Sequence, residues 1–190
     1  MNDSALASEE KKTLLLLARQ TIESAVAGKN SPVLSGKELT PTLKADGAAF
    51  VTLTIASELR GCIGSLQSFR PLVEDVCAHA IDAAFNDYRF PPVSEVEVPL
   101  LEIEISVLTA PQPLEYSTPL ELPSLLKPNI DGVVLRDGLR SATFLPQVWE
   151  QIPDPALFLN QLCLKMGAST DLWRHKVLQV SIYHVDEFHE

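Results

Sequence analysis

The sequence predicts an α+β fold, in which helices and antiparallel hairpins follow one another along the chain. Three observations predict this class. Apolar residues recur at helical spacing in several segments, and residues that favour helix ends flank those segments. Two pairs of short strand-forming runs are each joined by a turn. Residues 101–108 alternate apolar with polar side chains, which is typical of a strand with one buried face.

The first half of the chain predicts a helix, a hairpin and a second helix. Residues 8–28 carry an apolar face, with the serine at the start as N-cap and the glycine at the end as stop. After a loop rich in Ser, Pro, Gly and Lys, residues 50–55 and 59–66 form two strands around an Ala-Ser-Glu turn. Pro71 then takes the first position of a second helix, which has a wide apolar stripe.

The second half predicts a hairpin, a helix and a last strand. A stretch punctuated by prolines, residues 111–128, leads to strands at 132–135 and 139–145 around an Arg-Asp-Gly turn. An Asp-Pro pair begins the helix over residues 156–166, and a glycine ends it. Residues 177–185 form the last strand.

The two hairpins resemble each other. In both, a Leu-Arg pair begins the second strand, at Leu59 and Arg60 and again at Leu139 and Arg140, and a proline follows that starts a helix. The similarity is short enough to arise by chance. If it is a true repeat, the second copy shows that such a hairpin forms without the cysteine and glycines of the first.

Composition restricts the classes of function. The 190 residues are 46% hydrophobic, which suffices to bury one full core or two lobes that share one. The net charge of −10 disfavours nucleic acids and anionic lipid surfaces. No apolar run approaches the roughly 20 residues that span a bilayer, and the start of the chain does not resemble a signal peptide. We therefore expect a cytoplasmic protein without nucleic-acid or membrane partners, either a monomer or a weak dimer.

The candidate site is the run of residues 59–64, in which Cys62 lies between Gly61 and Gly64 and near Arg60. A neighbouring guanidinium favours the thiolate, which is the reactive form of cysteine. The glycines allow the backbone to approach a bound group and to adopt positive φ if the turn requires it. Cys62 is thus a candidate nucleophile, redox thiol or ligand. The alternative is a small buried residue at a tight strand crossing.

Carboxylates provide candidate partners for this run. Arg60 either assists the thiol or forms an ion pair with Glu58, Asp87 or a glutamate of the strand at 101–108. Glu102 and Glu104 share the polar face of that strand, which solvent usually covers. If that face lines the site, one carboxylate, with Glu104 as the candidate, acts as a general base or orients Arg60.

Further candidates lie elsewhere in the chain. Asp87 and Arg89 follow the second helix and either bind an anionic or amide-bearing ligand at the hairpin, or Asp87 pairs with Arg89 or Arg60 and only orders the loop. Gln147, at a helix start, either offers an amide to the site or serves as a cap or surface residue. His79 is predicted on the solvated side of the second helix.

No metal or cofactor is predicted. The three cysteines form an odd set without C-x-x-C spacing, so neither a disulfide framework nor a zinc site is expected, and Cys77 and Cys163 are assigned to the core. The histidines near the end of the chain do not match a known ligand motif. Glycine-rich phosphate-binding motifs are lacking as well.

Five motifs together resemble the AMMECR domain family and occur in family order over nearly the whole chain. They are Phe50-Val51-Thr52-Leu53, Leu59-Arg60-Gly61-Cys62-Ile63-Gly64, Asp87-Tyr88-Arg89-Phe90, Phe144-Leu145-Pro146-Gln147-Val148, and Phe158-Leu159 to Leu162-Cys163 with Lys165 and Gly167. The chain departs from the family at Tyr88, where proline is usual, and at Met166, where alanine is usual. The proline departure relaxes the loop before Arg89.

The resemblance implies one AMMECR-type domain over residues 1–190 with two unequal, interleaved lobes and a cleft between them. The larger lobe is built from both ends of the chain and the smaller from a central segment. The resemblance also implies association with a Memo-like protein and a radical SAM enzyme, and no settled reaction.

Two classes of function remain open. In the first, the protein handles a ligand in a modification pathway, as a thiol-dependent transferase, hydrolase or modification enzyme. In the second, it is a non-catalytic adaptor whose motif surface docks a partner protein. A nucleic-acid regulator would need a basic stripe, and the acidic composition does not provide one.

Overall fold

A computed structural model of the chain describes residues 6–29 and 39–190. Helices and two separate β-sheets make up the described part, which confirms the predicted α+β class. The chain divides into two compact units. Unit 1 comprises Met1–Thr109 with Asp186–Glu190, and unit 2 comprises Ala110–Val185.

The elements are numbered in chain order. The α-helices of the described ranges are α1 (Ser8–Val26), α2 (Pro41–Lys44), α3 (Leu72–Ile81), α4 (Leu122–Leu125), α5 (Val148–Gln151), α6 (Pro155–Lys165) and α7 (Leu172–His175). The strands are β1 (Asp46–Ile55), β2 (Glu58–Gly64), β3 (Arg70–Pro71), β4 (Glu102–Leu108), β5 (Gln112–Pro113), β6 (Gly132–Asp137), β7 (Arg140–Phe144), β8 (Gln179–Tyr183) and β9 (Val185–His189). Helix α3 continues into a π-helical turn, Asp82–Asn86.

The sheet of unit 1 has the strand order β2-β1-β4-β9, and the short β3 pairs with the start of β1. One face of β1, formed by Ala49, Val51 and Leu53, is fully buried in a core with α1 and α3. Strand residues alternate between the two faces of a sheet. Thr52 and Thr54 therefore lie on the opposite face, where they are half-buried.

Helix α1 begins at Ser8, so its N-cap is one residue earlier than predicted. Ala7 occupies the cap position, and the Glu10 carboxylate accepts a hydrogen bond of 2.9 Å from its N–H. The predicted stop is confirmed, because Gly28 has a φ of +65° just beyond the last helical residue. Arg19 joins the helix to the rest of unit 1. It binds the Glu190 carboxylate, and its Nη2 donates to the main-chain oxygen of Leu101 at 2.7 Å.

The sheet of unit 2 has the strand order β5-β8-β6-β7. Its core includes Trp149 stacked on Phe158, with ring centroids 3.6 Å apart. Helix α6 has the predicted ends, since the Asp154 side chain accepts from the N–H of Leu157 at 2.8 Å. Gly167 follows the helix with a φ of +76°.

The last strand was predicted wrongly as one element over residues 177–185. The structure shows β8 in the sheet of unit 2 and β9 in the sheet of unit 1, with His184 between them. The sequence does not show where one run of strand-forming residues leaves one sheet for another. Among the described residues, no helix combines the length and the apolar character that crossing a membrane requires.

Candidate functional site

The candidate site lies on β2, which is an outer strand of the sheet in unit 1. Cys62 stands opposite Thr52 of β1 in the antiparallel ladder. The Thr52 hydroxyl donates a hydrogen bond to the thiol, with Oγ1 and Sγ 3.4 Å apart. Both side chains are therefore on the sheet face opposite the core of unit 1.

Asp87 and Arg89 cover the outer edge of β2 at this point. The N–H of Cys62 donates to Oδ2 of Asp87 at 2.9 Å, and Nη2 of Arg89 donates to the carbonyl oxygen of Cys62 at 3.2 Å. Because both main-chain groups of Cys62 point outward, Cys62 and Thr52 form a ladder pair without main-chain hydrogen bonds. Such pairs bring their side chains closest together.

The two capping residues also bind each other. Arg89 forms a bidentate pair with Asp87, Nε to Oδ1 at 2.9 Å and Nη2 to Oδ2 at 2.6 Å. Asp87 is buried, and the hydrogen bonds from Arg89 and from the N–H of Cys62 hold the pKa of its carboxyl far below the usual range. A buried carboxylate with these donors is a fixed anchor for the guanidinium.

Arg89 reaches solvent beside the thiol. Its side chain is 42% exposed, and no residue in the described part of the chain hydrogen-bonds to its Nη1. The hydrogen bond to Asp87 and the charge of that carboxylate raise the pKa of the guanidinium. Asp87 and Arg89 thus order the loop, as one of the two predicted alternatives has it, and keep a cation at the site.

Arg60 does not pair with any of its predicted partners. Its Nε and Nη2 bind the Glu97 carboxylate at 2.8 and 3.2 Å. The ladder opposes Leu53 to Gly61 and Thr54 to Leu59, so Arg60 is the extra residue of a β-bulge. Bulges redirect side chains. The bulge places Arg60 against the segment that precedes β4, and this packing is not visible in the sequence.

The Arg60–Glu97 pair is a tight one. Only 11% of the Arg60 side chain is exposed. The hydrogen bond from Arg60, with further bonds from Ser94, lowers the pKa of Glu97 to about 2. The cation that contacts Cys62 is therefore Arg89, and Arg60 supports the strand next to it.

Both glycines of the run are required by packing of the chain on itself. A Cβ on Gly61 would lie 2.1 Å from the main-chain oxygen of Ala83 in the π-helical turn, and one on Gly64 would lie 2.3 Å from the Phe50 ring. Neither glycine has a positive φ. Positive φ, which was expected only if the turn required it, is not needed at either position, and their approach to a bound group stays a prediction.

Glu104 belongs to the same row of side chains as the thiol. It lies opposite Thr52 on the other side of β1, so Cys62, Thr52 and Glu104 cross three strands on one face. Burial raises the pKa of Glu104, and the charge of Glu187 on β9 adds to this effect while His189 opposes it. The idea that Glu104 orients Arg60 is wrong, because Arg60 binds Glu97. A role as general base stays a prediction.

Two further candidates lie on elements other than β2. Gln147 is in unit 2, where it is exposed at the residue before α5. His79 was predicted to be solvated, but it is 7% exposed, with Nε2 3.3 Å from Asp75 and Nδ1 3.8 Å from Asp82. Asp75 is drawn inward because it accepts a hydrogen bond from the N–H of Ala49 at 3.0 Å, and His79 one turn later follows it.

The other thiols differ from Cys62 in their surroundings. Cys163 is buried, as predicted, and Cys77 is half-buried on α3. Burial raises the pKa of both. Within residues 6–29 and 39–190, no group of three or more His, Cys, Asp or Glu side chains is arranged to hold a metal ion.

Sequence reasoning missed Thr52 and Glu97. The two-residue turn at Ala56 and Ser57 on its own would place Val51 opposite Cys62, and the bulge at Arg60 shifts the ladder by one residue so that Thr52 stands there instead. The sequence contains no signal for this bulge, nor for Glu97, which reaches β2 only through the fold of the preceding loop.

Comparisons with known proteins agree along the whole chain. A protein of Methanothermobacter thermautotrophicus is 35% identical over 191 residues, which cover 100% of this chain and 99% of that protein. A protein of Thermofilum pendens is 36% identical and covers 97% of this chain, with 92% of its own length matched. The crystal structure of the uncharacterized protein PH0010 from Pyrococcus horikoshii matches with a TM-score of 0.79 at 34% identity, over 97% of this chain and 93% of that one. The AMMECR1 family profile matches residues 15–188. The chain belongs to the AMMECR1 family.

Proposed function

We propose that this protein handles a small-molecule or peptide ligand in a modification pathway, as a thiol-dependent enzyme or a ligand-carrying subunit. The observation that carries the proposal is the setting of Cys62. Its thiol accepts a hydrogen bond from Thr52, and its main chain is fastened to a partly exposed guanidinium by a buried carboxylate. A cation and a hydrogen-bond donor next to sulfur are the features that activate thiols.

Cys62, Arg89 and Glu104 have different roles in this proposal. The sulfur of Cys62 attacks an electrophilic carbonyl carbon of the ligand, so an S–C bond forms and the leaving group departs with its bonding electron pair. Arg89 binds an anionic or amide-bearing group of the ligand through its outward Nη1. Glu104, whose pKa is raised, exchanges a proton with the ligand or the leaving group.

The expected partners are a Memo-like protein and a radical SAM enzyme. Membership in the AMMECR1 family and the five ordered motifs support a place as protein A of an AmmeMemoRadiSam system, in the cytoplasm. Affinity purification of the tagged chain from its own cells tests this. Recovery of either partner supports the proposal. If neither partner is recovered, even after crosslinking, the proposal is contradicted.

A non-catalytic adaptor is the second candidate, and Tyr88 is the observation in its favour. Tyr88 stands between Asp87 and Arg89, and the residue is 95% exposed. Tyrosine is enriched at protein interfaces. An adaptor would lose its partner on Tyr88→Ala and keep it on Cys62→Ser.

The first experiment measures alkylation of Cys62 against pH, with Cys77 and Cys163 as internal controls. Mass spectrometry resolves the three sites in one sample. We expect Cys62 to react far faster, with a pH–rate midpoint well below the value near 8.5 of a free cysteine. A Cys62 as slow as half-buried Cys77 overturns the thiol-dependent mechanism and leaves the adaptor.

A further inference from the structure

Thr52 contacts the sulfur of Cys62, which is the reactive atom of the candidate site, but the proposed function assigns Thr52 no role. Its hydroxyl lies 3.4 Å from Sγ of Cys62. Within the described ranges, no other side chain donates a hydrogen bond to this sulfur. Arg89 and Asp87, in contrast, bind only the main chain of Cys62.

We infer that Thr52 is a positioning residue for Cys62, whose hydroxyl holds the sulfur in place and favours its thiolate. This inference rests on the proposed function, because it concerns the reactivity of the same thiol. The candidate site then includes a residue of β1 in addition to the motif on β2.

The ladder geometry keeps the hydroxyl near the sulfur. Cys62 and Thr52 are a pair without main-chain hydrogen bonds, in which opposed Cα atoms are only about 4.5 Å apart. Threonine is branched at Cβ, so few rotamers are open to it within a strand. The hydroxyl direction is thus set by the backbone of β1, which is buried on its other face.

A hydroxyl donor affects the two forms of the thiol differently. A hydrogen bond to the charged form of a group favours that form, and such bonds are stronger than those between neutral groups. The thiolate therefore gains more from Thr52 than the thiol does. Removing the hydroxyl shifts the pH–rate profile, whereas a purely structural change alters the rate equally at every pH.

The charged groups around Cys62 are held by partners other than Thr52. Asp87 and Arg89 approach from the loop after the π-helical turn, and Glu104 stands beyond Thr52 on β4. None of the three hydrogen-bonds to the Thr52 side chain. A shift on Thr52→Val is therefore due to the lost hydroxyl.

Thr54 provides a matched control. It lies on the same face of β1, is half-buried like Thr52, and stands two ladder pairs nearer the turn, opposite Leu59 rather than a thiol. Valine replaces either threonine with almost no change of shape and favours strands equally well. Thr52→Ser keeps the hydroxyl and tests rescue.

The experiment compares the pH–rate profiles of Cys62 alkylation in the full chain and these three variants. We expect Thr52→Val to move the midpoint upward by about half to one pH unit and to slow the reaction at pH 7 about three- to tenfold. Thr52→Ser and Thr54→Val should stay within about twofold of the parent. Thr52→Ala replaces Thr52→Val if circular dichroism shows that the valine variant is misfolded.

The outcomes separate this inference from the proposed function. If Cys62 of the parent is reactive and Thr52→Val behaves like Thr54→Val, the role of Thr52 is overturned and the proposed function stands. An equal slowing at every pH also overturns it, because that pattern reflects access to the thiol. If Cys62 of the parent is as slow as Cys77, the proposed function fails first.

Discussion

The hairpin β1–β2 carries the candidate site, whereas the hairpin β6–β7 has neither a cysteine nor the glycines of residues 59–64. The two hairpins nevertheless share several structural features. In each hairpin, the outer-strand residue of the fourth ladder pair from the turn accepts a hydrogen bond from a cationic side chain through its main-chain carbonyl. Arg89 donates to Cys62 at 3.2 Å, and Lys165 donates to Thr143 at 2.9 Å. Covering a free strand edge in this way prevents pairing with other chains.

Only β1–β2 combines this cation with a carboxylate and a thiol. The N–H of Cys62 is bound by the buried Asp87, which also binds Arg89, and the side chain at that position is a thiol. A cation bound to the outer strand therefore serves, on its own, only to cover the strand edge. The carboxylate anchor and the thiol are the additions that distinguish the candidate site.

The comparison also corrects the predicted repeat. Leu59 lies in β2, but Leu139 lies in the turn before β7 and is fully exposed. The bulge at Arg60 adds one residue to β2 that β7 lacks. The two Leu-Arg pairs are therefore not at equivalent positions, and Cys62 corresponds to Thr143 rather than to Ala142.

The largest expected effect comes from giving β2 the Cβ that β7 already has. Gly61 and Ala142 both stand at the third ladder pair. The new methyl of Gly61→Ala meets the main-chain oxygen of Ala83 at 2.1 Å, and a main-chain atom does not rotate away. We expect a loss of about 3 kcal/mol in the free energy of unfolding.

Urea unfolding followed by far-UV circular dichroism measures this loss, because both tryptophans, Trp149 and Trp173, are in unit 2. The matched variant Ala142→Gly should cost about 1 kcal/mol, from a lost methyl and added backbone freedom. Equal losses at the two positions would show that the π-helical turn moves aside without cost.

The second prediction removes the carboxylate that β6–β7 lacks. Asp87→Asn leaves the shape of the side chain but takes the charge from its bonds to Arg89 and to the N–H of Cys62. We expect a loss of about 2 kcal/mol, because hydrogen bonds to charged groups are worth more than neutral ones. Denaturant unfolding and the Cys62 alkylation rate report on stability and on the site separately.

Lys165→Met is the matched change in unit 2. Lys165 is exposed, so the loss should be within about 0.5 kcal/mol. If Asp87→Asn and Lys165→Met lower the free energy of unfolding equally, Asp87 adds nothing to the covering of the strand edge, and the distinction between the hairpins disappears.

The elements that the sequence predicts well are those whose signals are local. Helix α6 has its Asp154 cap and its Gly167 stop within its own segment, and both are found. The site needed more. Asp87 and Arg89 were candidates for the hairpin, but the partner of Arg60 depends on how residues 88–101 fold against β2, and no pattern in those residues reports it. The burial of His79 follows from a main-chain bond to Asp75, which helical periodicity does not contain.

The third prediction concerns acid. The pKa of Glu97 is lowered to about 2, so this carboxylate contributes stability that is present above its ordinary value near 4.5 and is lost as the pH falls through about 2. Glu97→Gln should cost about 1 kcal/mol at pH 7 and flatten the stability curve between pH 4.5 and 2.5, measured by urea unfolding. Asp137→Asn in unit 2 should flatten it less, because Lys176 and Arg140 are about half exposed. A curve unchanged by Glu97→Gln contradicts the pairing with Arg60.

The smallest expected effect lies in the two turns. The turn of β1–β2 places Ala56 and Ser57 at φ of +51° and +64°, whereas that of β6–β7 uses Gly138 at +61°. A residue with a Cβ is strained in this region, and glycine is not. Ser57→Gly should therefore stabilise the chain by about 0.5 kcal/mol after the added freedom of the unfolded state is subtracted, and Gly138→Ala should destabilise it by about 1 kcal/mol. Thermal unfolding of the two variants measures both signs. A destabilising Ser57→Gly would mean that the serine side chain has a role in the turn that outweighs its backbone strain.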